Sequence, residues 1–500
     1  MGEGFSSRRR FLLGLGALTA ASTLPGATPV NAHHPTGVVA SLDSMPLRAR
    51  RAPRRPNFVV IVADDLGYGQ IGVQGQKKIR TPRIDRMARE GLRFTDAYAA
   101  APVCAPARAS LLTGLHVGHS PVRRNPPKSG DLPLPQDIPT LGTVLQQAGY
   151  RTGVFGKWGF GGKVPTNPSH PYKHGFNEFY GYLTHYAAKN YYPERLWDGT
   201  EPARLPGNKG DRGPVYGPDL IVDRALDFIR SSGDDPFLLL LTLPLPHAHS
   251  VPSPNIDAYA KKNWSSANKA HATQITQLDT YVGRVIDLLK RSGLDEDTIV
   301  IFTGDNGPHE EGNVRPDFFK ASGPYRGYKR NLYEGGIRTP FIAWSPKIMS
   351  RTKGKVSSHP TVHYDLLATF ADFAGINMPT GTDGISLRAA FTGRGTQRRH
   401  EYLYWARLQA GATPSHRAED HGRGRNAAAA VRFGRWKAVG FAPGPSYTQP
   451  GHNWDIELYD LTKDPGEKRD LAKKHPDVVR QAQRHMRAAW RPPVSWRFMN

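Results

Sequence analysis

The chain has 500 residues, 38% of them hydrophobic and 22% charged, with a net charge of +24 and a single cysteine. That apolar content excludes a disordered chain, and one cysteine excludes an internal disulfide framework. The basic residues are scattered rather than gathered in one run, which argues against nucleic-acid binding and leaves solubility or attraction of anionic substrates.

The first elements form a leader. Ser7-Arg8-Arg9-Arg10-Phe11-Leu12 resembles a twin-arginine export motif, followed by a moderately apolar run over 11–24 and by Val30-Asn31-Ala32 as a cleavage site. The run is too short and too rich in Gly, Ala and Thr to span a bilayer, and no later stretch is long enough. The expectation is a signal peptide over 1–32, read by the twin-arginine export machinery. The product would be periplasmic, cell-surface or secreted, with no stable membrane insertion after cleavage. Residues 33–55 are rich in Pro and Arg and read as a linker.

Residues 57–63 (NFVVIVA) form an apolar, β-branched run that ends at Asp64-Asp65-Leu66-Gly67. Thr81-Pro82 opens a helix, with Thr81 as N-cap and Pro82 at the first position, and Ile84, Met87 and Ala88 on one face. A helix is predicted over 141–148 and a strand over 151–155, ending at Gly156-Lys157. A strand over 237–243 ends in a turn over 244–249. A long helix follows over 267–290, with Ile275, Leu278, Val282, Ile286 and Leu289 at helical spacing. The next strand, 298–303, ends at Gly304-Asp305-Asn306-Gly307.

This alternation predicts an α/β domain over 56–375, with a mainly parallel sheet and helices on both faces. In such sheets ligands bind beyond the C-terminal ends of the strands. Asp64, Asp65, Lys157, His247, Asp305 and Asn306 all fall at those ends. Each alone is ordinary turn chemistry; the repetition is what points to a site. Beyond residue 375, Gly- and Arg-rich loops separate short strands at 401–404, 429–433, 436–438 and 457–460. A helix over 476–490 completes a smaller α+β subdomain, 376–500.

A lone cysteine is usually a small buried hydrophobe. Cys104 differs in its surroundings: Pro102-Val103-Cys104-Ala105-Pro106-Ala107-Arg108 is a Cys-x-Pro-x-Arg motif that opens a helix. Pro106 suits the first helical position, which places Cys104 at a helix N-terminus, where anions are favoured. Three carboxylates and an amide (Asp64, Asp65, Asp305, Asn306) are hard oxygen donors that suit Ca²⁺ or Mg²⁺ rather than zinc. Lys157, His247 (in Pro246-His247-Ala248-His249) and Lys329 (ahead of Tyr333-Glu334-Gly335-Gly336-Ile337-Arg338) supply cations and a proton source. Singly, these are solvated lysines and a core histidine.

Together these motifs resemble the formylglycine-dependent sulfatases, arylsulfatase-like members of the alkaline phosphatase superfamily, over roughly residues 55–375. The resemblance implies an alkaline-phosphatase-like α/β sandwich with a small C-terminal subdomain. It implies oxidation of Cys104 to formylglycine by a formylglycine-generating enzyme. The hydrated aldehyde would attack sulfur and later expel sulfate. Arg108, Lys157 and Lys329 would stabilise charge, and His247 would assist the leaving group. Asp64, Asp65, Asp305 and Asn306, with residue 104, would hold Ca²⁺, with Mg²⁺ as the alternative. The substrate would be a sulfated small molecule or a sulfated glycan, with specificity set by the loops 172–197 and 313–328.

One departure stands out. Many sulfatases place a histidine after Gly-Lys-Trp, the base for releasing sulfate, and here that position is Gly159. His185, His174, His116 and His119 are the candidate substitutes; His185, within the aromatic stretch 182–192, is favoured over the other three, with an ordinary loop histidine the stronger reading of it. Two rival functions stay open: a phosphonate monoester or phosphodiester hydrolase sharing the motif, and a non-catalytic binder of sulfated glycans.

Overall fold

The computed structural model describes residues 55–126, 132–162, 166–408, 413–447, 449–450 and 453–491. The leader expected over 1–32 and nearly all of the linker lie outside the described residues. Among the described residues, no helix is long and apolar enough to cross a membrane.

A ten-stranded sheet forms the core. Its spatial order is Val356–Ser357, Leu92–Phe94, Phe341–Trp344, Thr298–Gly304, Asn57–Ala63, Phe237–Leu243, Arg151–Gly159, Glu178–Thr184, Arg195–Asp198, Glu201–Arg204. The five strands from Thr298–Gly304 to Glu178–Thr184 run parallel; Phe341–Trp344, Leu92–Phe94, Arg195–Asp198 and Glu201–Arg204 add antiparallel pairs, and the edge strand Val356–Ser357 pairs in parallel with Leu92–Phe94. Asn57–Ala63 is buried along its whole length because both faces are covered. Val59 and Ile61 face the helices Pro82–Glu90, Gly217–Arg230 and Ser266–Arg291. Phe58, Val60 and Val62 face Cys104–Thr113, Leu141–Gln147 and Asp365–Ala374. The site therefore sits on the most deeply supported strands of the molecule.

Three local expectations shift. The strand expected over 151–155 continues to Gly159, so Lys157 projects from the strand itself. Pro82 does open its helix, but Thr81 does not cap it. The Thr81 hydroxyl accepts from the Gly72 amide at 2.8 Å. The free amides of Arg83 and Ile84 instead donate to the Asp279 carboxylate, at 3.2 and 2.7 Å, across from the long helix. Burial pushes that carboxyl up to about 6. The strand expected over 401–404 lies at Leu403–Arg407, because Arg407 is buried against Asp420 rather than ending the strand in solvent.

The separate C-terminal sheet is antiparallel, Leu403–Arg407, Ala428–Phe433, Trp436–Phe441 and Asp455–Asp460 in chain order. Ala482, Met486 and Ala489 of the helix Pro476–Ala489 pack on one face of it. Trp405, Ala430 and Val439 on the other face meet Tyr98, Tyr333 and Ile337 of the larger layer. This is the alkaline-phosphatase-like layout expected from the sequence.

Candidate active site

The helix Cys104–Thr113 is buried throughout and begins at Cys104 itself, after Val103 in extended conformation. Pro106 is thus the third helical residue, not the first. Its missing N–H still does no harm, since the first-turn amides have no intrahelical acceptor. The Cys104 Sγ lies 3.2 Å from Asp64 Oδ1 and 3.8 Å from Asp65 Oδ1. Burial and the Asp64 carboxylate push the thiol well above its ordinary range. Burial and neighbouring carboxylates disfavour the thiolate in such a place.

The exits of Asn57–Ala63 and Thr298–Gly304 are tied together. The Asp305 amide donates to the Ala63 carbonyl, and the Asp65 amide donates to Asp305 Oδ1 at 3.0 Å. Asp65 takes φ +67, a left-handed conformation that Asp tolerates better than most residues. Arg108, one helical turn beyond Cys104, places Nε and Nη2 each 2.9 Å from Asp305 Oδ2, with Nη2 3.5 Å from Asp64 Oδ2. Lys157 Nζ is 2.6 Å from Asp64 Oδ2, and Lys329 Nζ is 2.6 Å from Asp65 Oδ2.

Burial raises both of the first two carboxyls, yet the cations win. Lys157 and Arg108 hold Asp64 well below the usual carboxylate range, and Lys329 lowers Asp65. Asp305 fares differently: burial and the Asp64 charge push it up to about 7. Asn306 Nδ2 donates to Asp65 Oδ1 at 2.7 Å, while its buried Oδ1 has no partner. An orphaned amide oxygen beside three crowded carboxylates is the donor set of a hard divalent cation, and the residues present fit one. Ligand atoms of Asp64, Asp65, Cys104 and His247 lie within 4.8 Å of one another.

His247 follows the exit of Phe237–Leu243. Its Nδ1 faces the Ala248 carbonyl and its Nε2 lies 3.3 Å from Lys329 Nζ. Burial and the Lys329 charge push the imidazole down to about 3, so it is neutral and accepts from the ammonium. All nine residues expected at the site are therefore gathered at one end of the sheet.

The structure separates the four candidate histidines. His174 packs its ring 5.7 Å from Trp158, and His116 and His119 pair with Asp383 past the far end of the Cys104–Thr113 helix. Only His185 of the four feels Lys157, Asp64, His247 and Lys329 together. Sequence reasoning missed Glu311 and Arg330. Glu311 Oε2 lies 3.4 Å from Lys329 Nζ, and its other oxygen pairs with Arg330. Glu311 opens the short 3₁₀ helix Glu311–Asn313 and Arg330 lies in a turn, and the only signal was an acidic pair just past Asp305-Asn306.

A family model described as sulfatase matches residues 56–376. This chain belongs to the sulfatase family. A second model, N-sulphoglucosamine sulphohydrolase C-terminal, matches residues 325–490 of this sulfatase. It is 30% identical to a steryl-sulfatase of Mus musculus over 90% of its own length and 85% of that protein. It is 32% identical to an N-acetylgalactosamine-6-sulfatase of Mus musculus, covering 69% of this chain and 68% of that one. Among solved structures, Ps i-CgsB in complex with k-i-k-neocarrahexaose superposes with a TM-score of 0.70 at 28% identity, over 89% of this chain and 97% of that one. The phosphonate monoester hydrolase of Agrobacterium radiobacter, at 20% identity and a TM-score of 0.60 over 87% and 96%, shares the fold. The protein is a sulfuric ester hydrolase.

Proposed function

We propose that this sulfatase hydrolyses sulfate monoesters of saccharides after export, using residue 104, oxidised to formylglycine, as its nucleophile. The observation that carries the reading is Cys104 itself: a solvent-free thiol at the start of a helix, facing two carboxylates and ringed by three cations. No thiolate chemistry suits that environment, whereas an oxygen nucleophile made in its place does. The Sγ atom stands where an oxygen of the hydrated aldehyde would be.

Each side chain has work consistent with its placement. Arg108, Lys157 and Lys329 offer donors to the non-bridging oxygens of a sulfate ester, in a site where buried charges act strongly. Lys329 donates to His247 Nε2, so the pair can pass a proton toward the departing alcohol oxygen. Asp64, Asp65, Asp305 and Asn306 would hold Ca²⁺, which would polarise a sulfate oxygen and favour ionisation of the nucleophile. Arg-rich leader residues 8–10 support export through the twin-arginine machinery. A sugar substrate is supported by the likeness to Ps i-CgsB, which is in complex with k-i-k-neocarrahexaose.

The test is a paired one: the mass of the Cys104 peptide from protein made in its own host, and rates on a nitrophenyl sulfate beside a matched phosphodiester. An aldehyde mass with preference for the sulfate is the expected result. Preference for the diester would replace the reading with that of a phosphodiesterase.

A further inference from the structure

The basic residues are scattered along the sequence, yet the fold gathers some of them. From 468 to 491 the chain carries eight Lys and Arg against two Asp. The helix Pro476–Ala489 lies in this stretch, and its buried residues Ala482, Met486 and Ala489 pack on the C-terminal sheet. With about 100° of rotation per residue, Arg480, Arg484 and Arg487 fall on the opposite face of that helix, within an arc of about 60°. All three are exposed. Among the described residues, Arg480 and Arg484 make no ion pair and no side-chain hydrogen bond, and Arg487 donates to the Pro450 carbonyl at 2.9 Å. Arg491, just past the helix, is exposed as well, and the 3₁₀ turn Ala472–Lys474 ahead of it adds exposed Lys473 and Lys474.

A helix kept soluble by surface charge mixes signs, because opposite charges three or four residues apart stabilise it and like charges at that spacing destabilise it. Here every place in the i, i+4, i+7 repeat is cationic, and the one acid of the helix is Asp477 in the first turn. Asp477 there complements the positive end of the helix dipole, and Arg487 in the last turn complements the negative end. Arg480 and Arg484 lie outside both turns, so the dipole does not account for them.

Arg480 and Arg487 stand about 10 Å apart along the helix axis. A row of guanidinium groups of that length fits an anion repeated along a chain rather than one small anion, and arginine forks bind oxyanions with two parallel hydrogen bonds. A membrane surface would call for apolar side chains beside the basic ones. The exposed large hydrophobic residues of the described chain are Tyr172, Val251 and Val356, none of them on this helix. A nucleic acid offers the same charge, but sulfate esters are what the enzyme's own reaction brings to it.

Resting on the saccharide reading above, we propose that the stripe of Arg480, Arg484 and Arg487 is a docking surface for a sulfated polysaccharide chain. It lies on the side of the C-terminal sheet turned away from the larger layer, so the polymer is held there without touching the reacting groups. Docking raises the local concentration of sulfate esters around the catalytic site.

The experiment measures binding to dextran sulfate, with unsulfated dextran as the control, in protein that also carries Cys104→Ala so that nothing is turned over. Arg480→Gln with Arg484→Gln should lose about 10-fold or more in affinity and part of the salt dependence, and Arg480→Lys with Arg484→Lys should keep most of both. With Cys104 intact, the Gln pair should hydrolyse nitrophenyl sulfate at the wild-type rate. Unchanged affinity of the Gln pair overturns the proposal, as does a nitrophenyl sulfate rate that falls along with the binding. Tighter binding of the unaltered stripe to duplex DNA or to phosphatidylglycerol vesicles than to dextran sulfate, at matched anion concentration, overturns it too. Absence of wild-type turnover on sulfated saccharides would strike the parent reading alone, and binding lost in the Gln pair would still assign the stripe.

Discussion

Two buried clusters in this molecule have the same formal make-up and different uses. At the strand exits, Asp64, Asp65 and Asp305 meet Arg108, Lys157 and Lys329. Between the large layer and the C-terminal sheet, Asp96, Glu334 and Glu467 meet Arg338, Arg432 and Lys437. Both hold three carboxylates and three cations, so charge count and burial do not tell a reaction centre from a structural joint. Arrangement does. In the joint, cations sit between the acids: Lys437 Nζ lies 2.9 Å from Glu334 and 3.4 Å from Glu467, and Asp96 lies between Arg338 and Arg432. In the site, acids converge with Cys104 and His247 on one point, and Asn306 Oδ1, an acceptor, lacks a donor, whereas the unpartnered atoms of the joint, Arg338 Nε and Arg432 Nε, are donors among carboxylates. Convergence of acids on an orphaned acceptor marks the place where something else must bind or react; interleaving marks a joint.

The sharpest way to break this comparison is Cys104→Ala. Turnover should fall on the order of 10⁴-fold or more, since one nucleophile carries the reaction. The thermal midpoint should stay near wild type; unfolding of this variant would assign the cysteine to the core instead. Lys437→Met tests the other cluster and should invert the pattern. It leaves Glu334 and Glu467 buried around a lost cation, a loss of about 3–5 kcal/mol in a denaturant titration. A Lys437→Met protein as stable as wild type would mean that the joint does not hold the layers together.

Divalent metal gives a third contrast. A chelator should remove activity, Ca²⁺ should restore it better than Zn²⁺, and added Ca²⁺ should raise the thermal midpoint of wild type but not of Asp305→Asn. Rescue by zinc alone would refute the oxygen-donor assignment. The smallest effect concerns pH. Burial pushes Glu467 up to about 7, with Glu334 adding to the rise. Its folded form thus holds a proton that the unfolded chain releases near the ordinary 4.5. That contribution to stability is present at low pH and lost as pH rises toward 7. Urea midpoints for Glu467→Gln between pH 5 and 7 should slope less than wild type, by at most about 1.4 kcal/mol per pH unit. An unchanged slope would place the titration elsewhere.

The parts of this molecule legible in its sequence share one property, local determination. The runs at 57–63, 237–243 and 298–303 are continuous because both faces of those strands are covered, and the observed strands begin and end within a residue of them. The acids and cations at the exits could be read because they follow such runs. Short outer strands such as Leu92–Phe94 and Phe341–Trp344 carry too few residues to show a period, and they went unread. Asp279 as the acceptor for the Pro82–Glu90 amides, Arg407 inside a strand, and Glu311 beside Lys329 all depend on partners distant in the chain or on irregular backbone. His185 was visible as a residue, but its orphaned nitrogen and the register of Thr184 with Gly159 exist only in three dimensions.

The loop that presents Lys329 is held mainly from the C-terminal side. Arg326 reaches Glu419 and the Glu467 carbonyl, Asn331 donates to the His416 carbonyl and Asp420, and Tyr333 donates to Glu457. The Arg330 carbonyl accepts from Arg407, and the Glu334 amide donates to Glu467 at 2.6 Å. During synthesis the ribosome completes the nucleophile, the acids and Lys157 long before it makes these anchors. Lys329 precedes these anchors in the chain, so its loop can gain them only once residues 407–467 have been made.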